Sequence, residues 1–269
     1  MNILDFHTHA YPDKIADRLT ARMQAATPGA KRYGDGTVTM LQQRNAARGI
    51  THCVQLNIAA TGNSVTRMND FAISVRGRQG IIPFGTLHPD QSLQQMHDEL
   101  QRLQDHGIRG VKLQPVSQGF FINEPRAMTM WEQLAKWDMV VCIHCGADPA
   151  DKGIAHASPW MTAQMLDAFP SLKAVLAHMG GMDEWDQAEA LIWGRDVYID
   201  IAMTEARLHG DVLARMLAKH PHDKILYGSD YPWHDGEELA YLAELPAALR
   251  SQILWGNGAR LLGLEETGV

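Results

Sequence analysis

Eight short runs rich in β-branched and apolar residues alternate with helical stretches along the 269 residues, and no other feature narrows the possible folds as much. The runs are residues 4–9, 52–58, 81–88, 108–114, 139–144, 172–178, 197–203 and 224–230. Helical spacing of apolar residues separates them, at 37–47, 65–78, 93–106, 128–137, 161–169, 183–193 and 209–220. Two closing helices are expected at 237–249 and 251–262. Strand–helix alternation without a linker or a shift in composition is the pattern of a parallel sheet, and eight such units are enough to close it into a barrel. An open doubly wound sheet usually has fewer strands, and its first strand leads into a Gly-rich phosphate turn. Here the first strand runs into His7-Thr8-His9-Ala10-Tyr11-Pro12 instead. The expected fold is α/β, a single-domain and somewhat distorted (β/α)8 TIM barrel over 1–269. A long excursion from Pro12 to Ala47, with loop signals at Thr27-Pro28-Gly29 and Gly34-Asp35-Gly36, could form part of a lid.

Composition narrows the function. Net charge is −7, which argues against a nucleic-acid surface. The three cysteines are an odd number and point to a reducing compartment rather than a disulfide framework. The opening MNILDFHTHA has no basic segment followed by an apolar stretch, and no run reaches the roughly 18 apolar residues of a membrane span. A cytoplasmic protein acting on a small molecule, without nucleic acid or membrane, is the expectation. Oligomeric state is not written in the sequence, and a homodimer is the form soluble enzymes commonly take.

In a barrel the C-terminal strand ends face the active site. Read in order, those ends are His9, Asn57, His88, Lys112, His144, His178, Thr204 and Asp230. His7 and His9 are two apart on a strand and so project from one face. Imidazole is the commonest protein ligand for zinc-like ions. Polar groups at this density are costly to bury without partners, and convergence on a metal and its water removes that cost.

These residues resemble a known family. The segments Asp5-Phe6-His7-Thr8-His9, Gly110-Val111-Lys112-Leu113-Gln114-Pro115, Ile143-His144-Cys145-Gly146, Ala177-His178-Met179-Gly180-Gly181 and Gly228-Ser229-Asp230-Tyr231-Pro232 are similar to the amidohydrolase superfamily. Within it they resemble the amidohydrolase-related branch that includes aminocarboxymuconate semialdehyde decarboxylase. The resemblance spans the chain. It implies that His7, His9, His144 and Asp230 bind a divalent metal, with Zn2+ the expected ion. His178 would be a further ligand or a catalytic acid/base. Asp230 would also act on the attacking water. Lys112 falls where some superfamily members carry a carboxylated lysine bridging two metals, so one or two ions are implied. As a plain ammonium it could equally hold a substrate carboxylate or a salt bridge. Gln114-Pro115 departs from the His-Pro often seen at that point, which leaves the role of Gln114 open.

The chemistry that follows is hydrolysis of an ester, lactone or amide bond by metal-activated water, with Asp230 shuttling the proton. The alternative is non-oxidative decarboxylation of an aromatic or unsaturated carboxylic acid on the same scaffold. A metal-free binding protein that kept the fold is a third class, which elemental analysis separates. Asn57, His88, His156, Trp160 and Trp233 are candidate substrate contacts. His234 shares the loop of Trp233. Arg207, with Lys152 a weaker candidate, is the basic residue expected on the active face. Cys142 and Cys145 lie on opposite faces of one strand and read as packing. His97, His106, His220 and His222 read as surface residues.

Overall fold

The computed structural model describes residues 2–27, 29–148, 153–204 and 212–264. Eight parallel strands appear in chain order: β1 (Leu4–Thr8), β2 (His52–Gln55), β3 (Ile81–Pro83), β4 (Gly110–Leu113), β5 (Val140–Ile143), β6 (Lys173–Leu176), β7 (Tyr198–Asp200) and β8 (Ile225–Leu226). Ladders join β1 to β3 and β4 to β8. A parallel bridge between Gly85 and Val111 closes one seam. At the other, Phe6 N–H donates to Tyr227 O (2.8 Å) and Asp230 N–H to His7 O (2.7 Å). The sheet is therefore closed, as the alternation predicts, and the fold is a single (β/α)8 barrel.

Side-chain alternation builds two apolar layers. Val140 and Cys142 of β5 pack inside the barrel with Leu4, Phe6, Val54, Phe84 and Val175. Val141 and Ile143, one step out of phase, pack outward against the helices. Each fully buried large aliphatic side chain contributes about 1.5–3 kcal/mol. Trp255 and Ala259, from the C-terminal helices, plug the bottom. Gly110 has no side chain because the Phe84 ring fills the space a Cβ would need. Cys145 belongs to the outer layer, so the two cysteines do face opposite ways.

Most strands are shorter than the sequence suggests, and the polar ends lie in the turns just beyond them. His178 and Asp230 adopt left-handed backbone (φ 58° and 66°), which cannot continue a strand. Non-glycine residues held this way often mark functional positions.

β1 departs from simple alternation. Asp5 pairs with Cys53 and Thr8 with Gln55, so β1 carries one extra residue there. This irregularity lets Phe6 stay in the interior while His7, its neighbour, reaches the C-terminal end. Asp5 points outward, where its carboxylate accepts from Arg44 Nη1 (2.8 Å), Ser229 N–H (2.9 Å) and Ser229 Oγ (2.6 Å). β1 is thus tied to the turn that carries Asp230.

The excursion after β1 forms the helix Asp13–Ala26 and a loop that rejoins the helix Val38–Ala47, capped by Thr37 Oγ1 accepting from Met40 N–H (3.1 Å). Met23, Thr27, Lys31 and Tyr33 of this excursion form one wall of the cavity above the barrel. Among the described residues, no helix is long and apolar enough to cross a membrane.

Candidate metal centre

Four histidines and an aspartate converge at the C-terminal end of the barrel. For each histidine, one ring nitrogen is committed to an acceptor outside the centre. His7 Nδ1 donates to Asp200 Oδ2 (2.9 Å), His9 Nδ1 to Leu56 O (3.2 Å), His144 Nε2 to Ala147 O (3.0 Å) and His178 Nδ1 to Ala202 O (2.9 Å). Carbonyl and carboxylate oxygens only accept, so the proton sits on those nitrogens and the opposite nitrogen keeps a lone pair. The four lone pairs turn inward. His7 Nε2 lies 3.6 Å and His9 Nε2 3.3 Å from Asp230 Oδ1. His144 Nδ1 and His178 Nε2 face each other across 3.1 Å.

This donor set fits a cation. Bonds of about 2.1 Å in tetrahedral geometry put ligand atoms roughly 3.4 Å apart, close to the separations from Asp230 Oδ1 to the two imidazoles. Asp230 Oδ1 is buried and has no hydrogen-bond partner among the described residues. His144 and His178 set lone pair against lone pair, which a cation or a proton between them relieves. Histidine ligands oriented by a hydrogen bond on the far nitrogen are the usual arrangement around protein-bound metals.

Electrostatics keep the set ready at neutral pH. Burial, aided by the rings of His144 and His7, pushes His178 down to about 3. Burial lowers His9 and His144 as well. For Asp230, burial alone would raise the carboxyl, but His7 and His9 outweigh it and hold it well below the usual range. Asp200 is also buried, yet His7 keeps it down at about 2. His9, His144 and His178 are therefore neutral and Asp200 and Asp230 ionised, the forms in which such groups ligate or orient a ligand.

Lys112 is buried with Nζ 3.3 Å from His7 Nε2 and 3.7 Å from Cys142 Sγ. His7, Cys142 and Asp200 also cluster within metal-ligand range of one another. Burial pushes the Cys142 thiol up to about 12, so it stays protonated, and His7 Nδ1 already donates to Asp200. That group supports His7 and is a poor second metal site.

The cavity above the centre measures about 460 Å3, within the range of small-molecule sites. His7, His9, Lys112, His144 and Asp230 line it, as does Trp233 among the candidate substrate contacts. His178 does not, and stands behind His144 and His7 with ring centroids 4.8 and 5.0 Å away. Gln114 lines the cavity and donates from Nε2 to Asp148 Oδ2 (2.6 Å).

Four expected substrate contacts lie elsewhere. Asn57 donates from Nδ2 to Gln55 Oε1 (2.9 Å) and Phe84 O (2.8 Å), filling a gap in the sheet. His88 donates from Nε2 to Gln118 O (3.0 Å) and accepts at Nδ1 from Asp90 N–H (3.1 Å), so both ring nitrogens serve backbone. His156 stacks on Phe121 and donates from Nδ1 to Phe120 O (3.1 Å). Trp160, second residue of the helix Pro159–Ala168, lies at the surface, 42% exposed. His220, expected at the surface, is buried because its ring bridges Gly194 N–H and Val197 O. Lys152 and Arg207 lie outside the described residues.

Sequence reading missed Asp200. It took the seventh strand to run over 197–203 with Thr204 as its polar end, whereas β7 ends at Asp200 itself. The signal was a lone carboxylate inside the apolar run Val197-Tyr198-Ile199-Asp200-Ile201-Ala202.

The comparisons agree with this fold. A family model described as Amidohydrolase matches residues 4–264. An uncharacterised TIM-barrel protein from Bordetella bronchiseptica superposes with a TM-score of 0.77 at 19% identity, covering 98% of this chain and 99% of that one. A dihydroxybenzoic acid decarboxylase from Polaromonas, with bound manganese and the inhibitor 2-nitroresorcinol, gives 0.70 at 15% identity, with 98% of each chain covered. A probable 2-pyrone-4,6-dicarboxylic acid hydrolase from Acinetobacter baumannii, with citric acid bound, gives 0.67 at 17%, covering 98% and 100%. No curated protein matches. With a family match over nearly its whole length and a metal-ready donor set at its strand ends, the chain belongs to the amidohydrolase family.

Proposed function

We propose that this protein is a metal-dependent hydrolase that cleaves an ester, lactone or amide bond of a small molecule with water. The observation that carries the reading is Asp230. Its Oδ1 is buried, without a hydrogen-bond partner among the described residues, and set between the Nε2 atoms of His7 and His9, and Asp230 is part of the cavity wall. A divalent ion held by His7, His9 and Asp230, with His144 and His178 completing the set, would polarise the substrate carbonyl and acidify water. Zn2+ suits this nitrogen–oxygen donor set; Mn2+ is the ion bound in the Polaromonas decarboxylase.

The chain's own groups do the rest. Asp230, ionised and facing the cavity, accepts a proton from the attacking water and passes it to the leaving group. Asp200 holds His7 in its ligating tautomer. His178, set back from the cavity, turns its Nε2 lone pair toward His144 Nδ1 and Asp230 and so serves the ion rather than the substrate. Lys112 acts as an unmodified lysine, its Nζ placed to hold an anionic substrate oxygen near His7 without adding a ligand. The three buried free cysteines suit a reducing, cytoplasmic setting.

Lys112 also gives footing to the second reading, decarboxylation of an aromatic or unsaturated acid. A buried lysine Nζ 3.3 Å from the His7 imidazole is a hydrogen-bond donor suited to a substrate carboxylate. One experiment separates the two. Metal-loaded protein is offered esters, lactones and amides in 18O water alongside hydroxylated benzoates. Metal-dependent appearance of 18O in the acid product, lowered about 10²–10⁴-fold in Asp230→Asn, is expected. Carbon dioxide release without label uptake overturns the hydrolase reading.

A further inference from the structure

The loop after β8 holds a polar group that metal chemistry does not use. The His234 side chain is 8% exposed and lines the cavity. Its Nδ1 accepts from Gly236 N–H (3.2 Å), so the ring hydrogen sits on Nε2. Nε2 is buried and has no hydrogen-bond partner among the described residues; Glu237 Oε2 stands 3.9 Å off, beyond hydrogen-bond reach. A buried N–H without an acceptor is uncommon in native proteins and calls for a reason.

The loop is also held in place. His234 N–H donates to Asp230 O (3.2 Å). Arg44 Nη2 donates to Asp235 O (3.0 Å), Arg48 Nη1 to Asp235 Oδ2 (2.7 Å) and Arg48 Nη2 to Gly236 O (3.1 Å). Behind the ring, the fully buried Glu238 places Oε2 3.4 Å from Nδ1. Nε2 keeps its hydrogen whether the ring is neutral or charged, so the donor does not depend on titration. Around it the walls are largely apolar and aromatic: Tyr33, whose ring meets His234 at 64°, with Trp233, Met23 and Met203.

We propose that His234 is a substrate-binding residue whose Nε2–H donates to an oxygen the substrate carries away from its reacting group. The substrate is accordingly a flat, largely apolar molecule, such as an aromatic ring, with a second oxygen acceptor. This rests on the metal-centre reading of the same cavity. A carbonyl and a carboxylate both offer such an oxygen, and the probes below distinguish them.

The test measures binding rather than turnover. Benzohydroxamate supplies a metal-binding end on an aromatic ring. Its 3- and 4-acetyl and 3- and 4-carboxy derivatives add the second oxygen. Dissociation constants are measured by calorimetry for metal-loaded wild type, His234→Phe and His234→Gln, with metal content and Tm checked for each. At least one derivative should bind wild type about 3–10-fold more tightly than the parent, the effect of one hydrogen bond. That gain should vanish in His234→Phe, which binds the parent as wild type does, and partly return in His234→Gln, whose amide restores a donor. Equal binding of all derivatives by wild type, or a gain that survives in His234→Phe, overturns the proposal alone. Failure of wild type to bind the parent at all overturns the metal-centre reading, and the role of His234 with it.

Discussion

Replacing Asp200 by asparagine should cripple metal binding while leaving the fold intact. Asp200 Oδ1 accepts from the backbone N–H groups of His178 (3.0 Å) and Ala202 (3.1 Å), and Oδ2 accepts from His7 Nδ1 (2.9 Å). An asparagine must keep its oxygen on the two backbone donors, which turns its NH2 toward His7. Two donors then face each other over the old hydrogen bond. The cheapest relief is a tautomer change: Nδ1 of His7 becomes the acceptor and Nε2 takes the proton. The lone pair is then lost where the ion needs it. Removing such a supporting partner typically lowers metal affinity about 10–100-fold, or roughly 1.4–2.8 kcal/mol. The pair is almost fully buried (1% and 0% exposed), so solvent cannot offer a substitute and the upper part of that range is expected. Zinc affinity is read by chelator competition at pH 7.5, beside the Tm of the metal-free protein. Metal-free Asp200→Asn should melt within a few degrees of wild type, because the swap is nearly isosteric and the new tautomer restores the hydrogen bond. Zinc affinity within about twofold of wild type would refute the orienting role of Asp200.

Gly228→Ala should disturb the centre from the opposite side. A Cβ there would lie 2.8 Å from His7 Cβ and 3.3 Å from Ala202 Cβ, so a loss of about 1–3 kcal/mol in denaturant unfolding is expected together with weakened metal binding; unchanged stability and affinity would contradict the packing described. Burial pushes Cys53, Cys142 and Cys145 each up to about 12, so native protein at pH 8 should not react with a thiol-specific disulfide reagent until unfolded, and rapid labelling of any one would contradict their burial. Burial also pushes His220 down to about 4. The unfolded chain, with an ordinary histidine near 6.5, takes up its proton first, so stability is full above pH 6.5 and falls as pH drops toward 4. Wild type should therefore lose about 2 kcal/mol more than His220→Gln between pH 7 and pH 5; equal losses would mean that His220 is not held neutral.

The fold was legible because strand and helix periods alternate cleanly and each β-rich run ends in a polar residue. Five of the expected ligating positions, His7, His9, Lys112, His144 and Asp230, meet at one cavity for the same reason. Spacing alone carried less. The projection of His7 and His9 toward one centre depends on an irregularity in β1 pairing, which a strict two-residue period does not foresee. Asn57 and His88 also end strands, yet their polar atoms are consumed by neighbouring backbone and side chains, a fate that depends on contacts distant in sequence. Asp200 hid inside an apolar run, and its role follows only from meeting His7, 193 positions away. His234 is informative because of what it lacks among the described residues, an acceptor at Nε2, and only three-dimensional packing reveals an absence of that kind.

A crystal structure of protein incubated with zinc or manganese, recorded at the metal's absorption edge, tests the assignment most directly. Expected is an anomalous peak within about 2.0–2.2 Å of His7 Nε2, His9 Nε2 and Asp230 Oδ1, with His144 and His178 beside it and Lys112 unmodified. No peak at that point after incubation, or an ion bound by other residues with these imidazoles left facing Asp230, would contradict it.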